Sequence, residues 1–430
     1  MVCASGKERH GGETGHKGNA RVGTIELGGG RVRSGPSIDE VAALPFYGTS
    51  IASGTSIALR GAPSAPAAPA CHDRSPLMLR RLSRGRAALV LAFQLAAAAL
   101  VGCSGEKYDV VIYTSMDQEH SEAILQRFEE RSGLKVRMEF DIEANKTVGF
   151  VQRIRQEAGA PRGDVFWNNE LANTIALANE GLLERYDSPS AADIPAEYRD
   201  PAHHWTGFAL RARCLILNTT KMAELGGSPS DWPDSLDDLV SGPYAKHGSV
   251  ARPLDGTTLT HFAVLYQQRG FEAGHAFAQQ LFELNAKGDL SLTAGNGPLM
   301  RSVGEGALAW GFTDTDDFNV GRLRGYPVER RFADQGEGGV GTLVIPNSVA
   351  ILKGAPNLAN AKLLVDFLLS KEVEELLARA DSAQIPTRAD VPRPEHVPSL
   401  ADLKIMAVDW AAVGAALPAV HEDLKRVFLR

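Results

Sequence analysis

Apolar and polar residues between positions 109 and 181 follow the spacings of alternating strands and helices. Residues 109–113 form a short apolar run typical of a buried strand, and Ala123, Ile124 and Phe128 share one face of a helix that ends at Gly133. This alternation predicts an α/β fold with a mostly parallel sheet covered on both faces. The predicted strands are residues 109–113, 135–140 and 164–167, and the predicted helices are residues 119–131, 147–157 and 171–179.

The later part of the chain predicts a crossing into a second lobe and a return. Residues 205–217 predict one long strand, after which the pattern changes to looser helices with many Gly and Pro turns. Further strands are predicted at residues 307–312 and 342–352, with a helix at 358–369. These boundaries assign residues 103–215 and 326–400 to lobe one, residues 216–325 to lobe two, and residues 401–430 to a C-terminal helical segment.

An export signal precedes these elements. Four arginines, at positions 80, 81, 84 and 86, come before an apolar run over residues 87–101. This run of 15 residues is shorter than the roughly 20 that a helix needs to cross a bilayer. The order of parts predicts a signal peptide at residues 78–102. Its end, Leu100-Val101-Gly102-Cys103, resembles the bacterial lipobox, so we expect a mature chain anchored through a lipid on Cys103.

Residues 1–77 are rich in Gly, Ser, Ala and Pro and show no sustained strand or helix period. We expect them to be disordered, or to lie upstream of a true translation start at Met78.

Charge and cysteine content narrow the class of protein. Residues 1–102 hold 12 of the 45 Lys and Arg and 6 of the 52 Asp and Glu, so the mature chain would carry a net charge of −13. An acidic chain does not attract nucleic acid or an anionic membrane surface. Only Cys103 and Cys214 would remain, so no internal disulfide framework is expected. A chain of about 330 residues exceeds what one core usually organises, which favours two lobes.

Five segments in order are similar to the ferric-iron-type solute-binding proteins of ABC importers. The resemblance implies a two-lobed periplasmic binding protein of type 2, with lobes joined by two crossing strands and cargo bound in the cleft. It further implies a protein without catalysis or obligatory cofactor, located in the periplasm or cell envelope and partnered by permease and ATPase subunits. The segments are Val111-Ile112-Tyr113-Thr114-Ser115, Asp164-Val165-Phe166-Trp167, residues 205–213, residues 361–370 and Ile385-Pro386-Thr387.

Carboxylates cluster after a predicted strand. The segment Thr313-Asp314-Thr315-Asp316-Asp317 offers oxygen ligands of the kind that hard cations prefer, so Asp314, Asp316 and Asp317 are predicted metal ligands. The resemblance adds Asp117 and Glu170 as metal ligands and Asn169 as a ligand-binding residue. The family's adjacent tyrosines are absent from this segment, which favours a divalent cation, a differently coordinated Fe³⁺ or a cationic organic ligand.

A second group of residues favours an anion. Gly256, Thr257 and Thr258 precede a helical stretch at residues 259–268, and a helix N-terminus attracts negative charge. The resemblance implies that this segment holds a small synergistic anion, with Arg211 helping to hold it. Asn296, in a Gly-Asn-Gly turn, is predicted to reach the cleft.

The leading hypothesis is therefore a binding protein whose cargo is a metal ion, iron or a divalent cation, with or without a small anion. Alternatives are an organic cation of the thiamine or polyamine type, or an anion such as a phosphonate. A remote alternative is a metal-dependent phosphohydrolase using Asp314 and Asp316, although Phe318 stands where its motif needs Thr or Val. His120 is expected to cap or line the first helix, and residues 203–204, two histidines, are expected to be structural.

Overall fold

The computed structural model describes residues 107–141 and 148–430. Residues 1–77, the predicted signal peptide at 78–102, Cys103 and the predicted helix start at residue 147 lie outside the described residues. Within the described ranges, no helix combines the length and the apolar character that a membrane crossing requires.

Strands and helices alternate along most of the chain. The strands are β1 (Val110–Thr114), β2 (Val136–Phe140), β3 (Val165–Asn168), β4 (Leu183–Glu184), β5 (Thr206–Asn218), β6 (Ser249–Ala251), β7 (Ser291–Thr293), β8 (Trp310–Asp314), β9 (Val328–Phe332) and β10 (Val344–Leu352). The helices are α1 (Gln118–Ser132), α2 (Val148–Gln156), α3 (Ala172–Asn179), α4 (Thr219–Leu225), α5 (Asp238–Ser241), α6 (Gly256–Arg269), α7 (Phe271–Lys287), α8 (Asn296–Gly304), α9 (Thr315–Leu323), α10 (Leu358–Leu368), α11 (Lys371–Arg379) and α12 (Trp410–Phe428).

Two mixed sheets share the long strand β5. In the first sheet β1 pairs in parallel with β2 and β3, whereas β10 runs antiparallel to β3 and β5. In the second sheet β6 pairs in parallel with β7 and β8, whereas β5 runs antiparallel to β8 and β9. The α/β class is confirmed, but each sheet is mixed and not mostly parallel, because the strands that cross between sheets run against their neighbours.

The crossings fall at definite residues. Strand β5 pairs with β10 up to Ala212 and with β8 from Arg213 onward, so the chain changes sheets between these two residues. The chain returns to the first sheet through residues 333–343, which connect β9 to β10. Because β9 belongs to the second sheet, the return begins after Phe332 and not at residue 326 as predicted.

Each sheet is covered by apolar side chains on both faces. The first sheet has one core around Phe128, Trp167 and Leu364 and another around Tyr113 and Phe150, whose rings stack with centroids 5.0 Å apart. The second sheet has a large core on one face and a smaller one on the other, around Leu299, Met300 and Val303. This double coverage explains why Leu215, Ile216 and Leu217 of β5 form a continuous apolar run that is fully buried.

Two elements of the second lobe extend further than predicted. Strand β8 runs through Asp314 because that residue pairs with Arg213 of β5, and this pairing keeps a polar residue in the sheet. Helix α6 begins at Gly256, three residues before the predicted start. The threonines that follow Gly256 therefore lie in the first helical turn and not in a preceding loop.

The C-terminal helix α12 packs against helices of both lobes. Gly414 lies against Ile175 of α3 in lobe one, where a Cβ atom would overlap the Ile175 side chain. At lobe two, the Tyr266 hydroxyl donates a hydrogen bond of 2.8 Å to Asp423. The segment predicted to be helical at residues 401–430 is thus a helix over Trp410–Phe428.

Replacing Gly414 with valine is expected to destabilise the protein, because its branched side chain would need space that Ile175 fills. Overpacking of a buried site costs about 1–3 kcal/mol. Thermal unfolding measures the change. The control is Ala415→Val, at an exposed position on the same helix; it loses helix propensity, whereas Gly414→Val gains it, so propensity alone would make Gly414→Val the more stable variant. An unfolding temperature of Gly414→Val no lower than that of Ala415→Val would contradict this packing.

Candidate functional site

The carboxyl ends of strands in both lobes meet at one cleft of about 680 Å³. Strands β1 and β3 lead into α1 and α3 in lobe one, and β6, β7 and β8 lead into α6, α8 and α9 in lobe two. Open α/β sheets bind ligands at this edge because helix N-termini and strand ends meet there. All predicted ligand and metal residues except Glu170 line the cleft: Asp117, Asn169, Arg211, Gly256, Thr257, Thr258, Asn296, Asp314, Asp316 and Asp317.

Arg211 is the cation at the base of this cleft. Its side chain is 6% exposed, and its Nη1 lies 3.3 Å from Oδ2 of Asp316. Its Nε and Nη2 are buried and have no partner among the described residues. Burial acts to lower the pKa of Arg211, but the carboxylates of Asp316, Asp314 and Asp117 raise it above the ordinary value. The guanidinium therefore stays charged and presents a free two-nitrogen fork.

Asp316 and Asp317 form the acidic part of the site. Burial raises the pKa of Asp316, even though Arg211 opposes the shift, and Oδ1 of Asp316 has no described partner. Burial, and then the charges of Asp316 and Asp314, raise the pKa of Asp317 well above its usual range. One carboxylate oxygen from each of Asp314, Asp316 and Asp317 lies within 4.8 Å of the others, a spacing that could hold a metal ion.

Asp314 differs from its neighbours because its carboxylate is fully engaged. Oδ1 accepts a hydrogen bond of 2.8 Å from Arg213 Nη1. Oδ2 accepts hydrogen bonds from the Thr257 hydroxyl and, at 2.9 Å, from Asn296 Nδ2. Both oxygens of Asp314 are thus hydrogen-bonded already, whereas Oδ1 of Asp316 has no described partner. A carboxylate held in this way is also not a free nucleophile, which removes the basis of the phosphohydrolase hypothesis.

Hydrogen bonds between side chains join the N-termini of α6 and α8. The Thr258 hydroxyl lies 3.3 Å from Asn296 Oδ1, and Asn296 Nδ2 lies 3.0 Å from Thr257 Oγ1. Gly256 adopts a φ of +55°, a left-handed conformation that favours glycine. The first N–H groups of each helix have no acceptor within the helix, so both helices direct donors at the cleft.

Lobe one contributes Asp117 and Asn169 to the cleft, but not Glu170. The Glu170 carboxylate is buried, accepts a 2.6 Å hydrogen bond from the Thr260 hydroxyl of α6, and accepts another from Asn168. Burial raises the pKa of Glu170. The backbone N–H of Asn173 is a third donor to this carboxylate, and Glu170 lies between the lobes, outside the cleft lining.

Sequence reasoning overlooked four arginines. Arg213 lies two residues beyond Arg211 on β5, and a strand's period of two puts both on one face. An Arg-x-Arg pair in an otherwise apolar buried strand was the signal available for Arg213. Arg252, Arg301 and Arg324 also line the cleft, and within the described ranges their side chains form no ion pair.

The histidines occupy separate positions. His120 lines the cleft at the start of α1, with Nε2 3.4 Å from Glu119 Oε1. His203 and His204 contact different carboxylates, at 3.1 Å and 2.9 Å respectively. These two histidines therefore have different carboxylate partners, which agrees with the expectation that they are structural.

Comparison with protein families and relatives identifies similar chains. Residues 115–375 match the family described as bacterial extracellular solute-binding protein. The major ferric iron-binding protein of Neisseria meningitidis serogroup B is 23% identical over 321 residues, covering 74% of this chain and 90% of that one. A proposed 2-aminoethylphosphonate-binding periplasmic protein of Salmonella typhimurium is 27% identical over 279 residues, covering 63% and 77%.

A solved structure has the same fold. The periplasmic binding protein AfuA from Actinobacillus pleuropneumoniae, with fructose-6-phosphate bound, superposes with a TM-score of 0.65 at 23% identity. The match covers 74% of this chain and 98% of AfuA.

Replacing Asp317 with asparagine is expected to raise thermal stability increasingly as pH rises. The raised pKa of Asp317 means that the folded state holds this proton more tightly than the unfolded state. The stability due to that proton is present below the unfolded pKa and is lost as pH rises through the folded pKa. Asparagine stays neutral, so the stability of the variant should gain on that of the wild type as pH rises above about 4, the unfolded pKa of aspartate.

Unfolding temperatures measured at increasing pH with a chelator present would test the expectation. The control is Asp187→Asn, whose carboxylate is 71% exposed and lies outside the cleft lining. A constant gap between wild type and D317N at all pH values would contradict the shifted pKa.

Proposed function

The chain belongs to the bacterial extracellular solute-binding protein family, and we propose that its cargo is a small organic solute carrying an oxyanion such as a phosphonate or phosphate. It is a solute-binding protein of the ferric-iron type, and such proteins deliver small solutes to the permease and ATPase components of ABC importers. Related proteins bind iron, a phosphonate or a sugar phosphate, so the family alone leaves the cargo open.

The free fork of Arg211 carries the proposal. The N–H bonds of Nε and Nη2 are parallel to each other. They match two oxygens of a carboxylate, phosphate or phosphonate. A buried charged donor without a partner is costly, since an unsatisfied polar group loses its hydration without compensation. An oxyanion in the cleft would satisfy both nitrogens.

Three other features support an organic anion. Residues in the first turns of α6 and α8 line the same cleft, where the helix dipoles favour negative charge. The exposed arginines at 252, 301 and 324 line the cleft and add positive potential there. A cleft of about 680 Å³ is of the size that small organic ligands occupy.

A metal cation is the second candidate. The close carboxylate oxygens of Asp314, Asp316 and Asp317, together with the ferric iron-binding relatives, favour it. Two observations weigh against it. Asp314 is neutralised by Arg213, and Arg211 holds a positive charge 3.3 Å from Asp316, where a metal would be repelled.

The protein is also proposed to be exported and lipid-anchored. The basic stretch, the apolar run and the lipobox ending in Cys103 support this assignment. An anchored binding protein stays close to the importer that receives its cargo, and the periplasmic relatives agree with a position in the cell envelope.

Replacing Arg211 with glutamine should weaken oxyanion binding by about a hundredfold, because two charge-assisted hydrogen bonds are lost. Isothermal titration calorimetry with ethylphosphonate and inorganic phosphate measures the effect. Arg211→Lys keeps the charge but lacks the two-nitrogen fork. Its affinity for the oxyanion should lie between those of the wild type and Arg211→Gln. The control is Arg137→Gln, at an exposed position on β2.

The same titrations with Fe³⁺, Fe²⁺, Mn²⁺ and Zn²⁺ separate the two candidates. We expect no tight metal binding by the wild type, and elemental analysis of protein from its native envelope should find no stoichiometric metal. Metal binding that survives R211Q, combined with no response to any oxyanion, would overturn the proposal in favour of a metal cargo.

Replacing Cys103 with serine should move the protein from the membrane fraction to the fluid of the envelope, because the thiol that receives the lipid is lost. Fractionation and intact mass of the mature chain measure this. The matched control is Cys71→Ser, which removes a cysteine from the segment expected to be cleaved or untranslated. A mature chain that retains residues 78–102 would contradict the assignment.

A further inference from the structure

We propose that the cargo is dipolar: a positively charged group bonds Asp316 while the oxyanion of the same molecule bonds Arg211. This inference rests on the proposed function and adds the second charged group that the site selects.

The geometry of the Arg211–Asp316 pair points to two ligand contacts. The pair is joined by one contact, from Nη1 to Oδ2 at 3.3 Å. Two nitrogens of Arg211, Nε and Nη2, have no partner among the described residues. Oδ1 of Asp316 also has none. All three atoms are buried, and both residues line the cleft. Charges of opposite sign are thus available a few bond lengths apart, and an anion alone satisfies only one of them.

Charge balance favours the same conclusion. The buried guanidinium groups of Arg211 and Arg213 are balanced by the carboxylates of Asp316 and Asp314, which lie 3.3 Å and 2.8 Å from them. A simple anion bound to Arg211 would place a second negative charge beside the Asp316 carboxylate in a desolvated site. A molecule with one positive and one negative group adds no net charge and pairs each buried residue with its opposite.

Pairs of probes that differ only in the amine test the proposal. The first pair is 2-aminoethylphosphonate and ethylphosphonate, and the second pair is β-alanine and propionate, so that the two pairs separate phosphonate from carboxylate recognition. Isothermal titration calorimetry on the wild type should show the amine-bearing member of at least one pair binding about tenfold tighter or more.

In Asp316→Asn this advantage of the amine should disappear, while affinity for the probe without the amine is retained or increased. The control is Asp187→Asn, outside the cleft lining, in which the advantage should persist. Unfolding temperatures of each variant check that it is folded, and the wild-type comparison of paired probes stands without any variant.

The outcomes are distinct. A preference for the amine that is lost in D316N supports the proposal. Equal affinity of the wild type for both members of each pair that binds overturns it and leaves the oxyanion function standing. If no probe of either kind binds and a metal ion does, the proposed function falls as well, and the dipolar cargo with it.

Discussion

The ion pair between Arg213 and Asp314 is the interaction on which the site depends. Both side chains are almost fully buried, at 1% and 2% exposed, and their nitrogen and oxygen lie 2.8 Å apart. Removing one partner of such a pair leaves an uncompensated buried charge, which typically costs about 3–5 kcal/mol. Through Asp314 the pair also holds Thr257 and Asn296, so it joins β5 and β8 to the first turns of α6 and α8.

A second pair of the same residue types lies beside the first and differs in one respect. The Asp314 carboxylate is fully hydrogen-bonded and only Nε of Arg213 lacks a partner, whereas Arg211 and Asp316 share a single contact and leave three buried polar atoms without partners. The pair with more unpaired atoms has the greater capacity to bind a ligand. Arg211 and Arg213 stand two residues apart on β5, so the better-bonded pair helps to hold the backbone from which Arg211 reaches the cleft.

The site lies at the junction of two sheets, where a bound solute can contact residues of both lobes. Strand β5 and the return segment connect the sheets, while Glu170 of lobe one meets Thr260 of lobe two and α12 packs on both lobes. A solute that contacts both walls of the cleft would favour the closed arrangement in proportion to its differential affinity for it. Relatives with one fold and several cargoes agree with the general rule that ligand choice lies in the site residues and not in the fold.

The sequence by itself determined the elements and the edge at which the ligand binds. Periods of two and 3.6 are local signals, so β1, β2, α1 and the long strand β5 were predicted within one or two residues of their observed bounds. Polar residues after strands also follow from local order, and for this reason ten of the eleven residues predicted to bind ligand or metal line the cleft, although Arg252, Arg301 and Arg324 were missed.

Only the tertiary structure decided what each polar residue does there. Asp314, Asp316 and Asp317 are equivalent as a string of letters. Asp314 differs from them because Arg213 reaches it from 101 positions away, and Glu170 is withdrawn from the cleft because Thr260 reaches it from 90 positions away. A carboxylate becomes a structural anchor or a ligand according to the partners that surround it, and those partners are brought by the packing of distant segments.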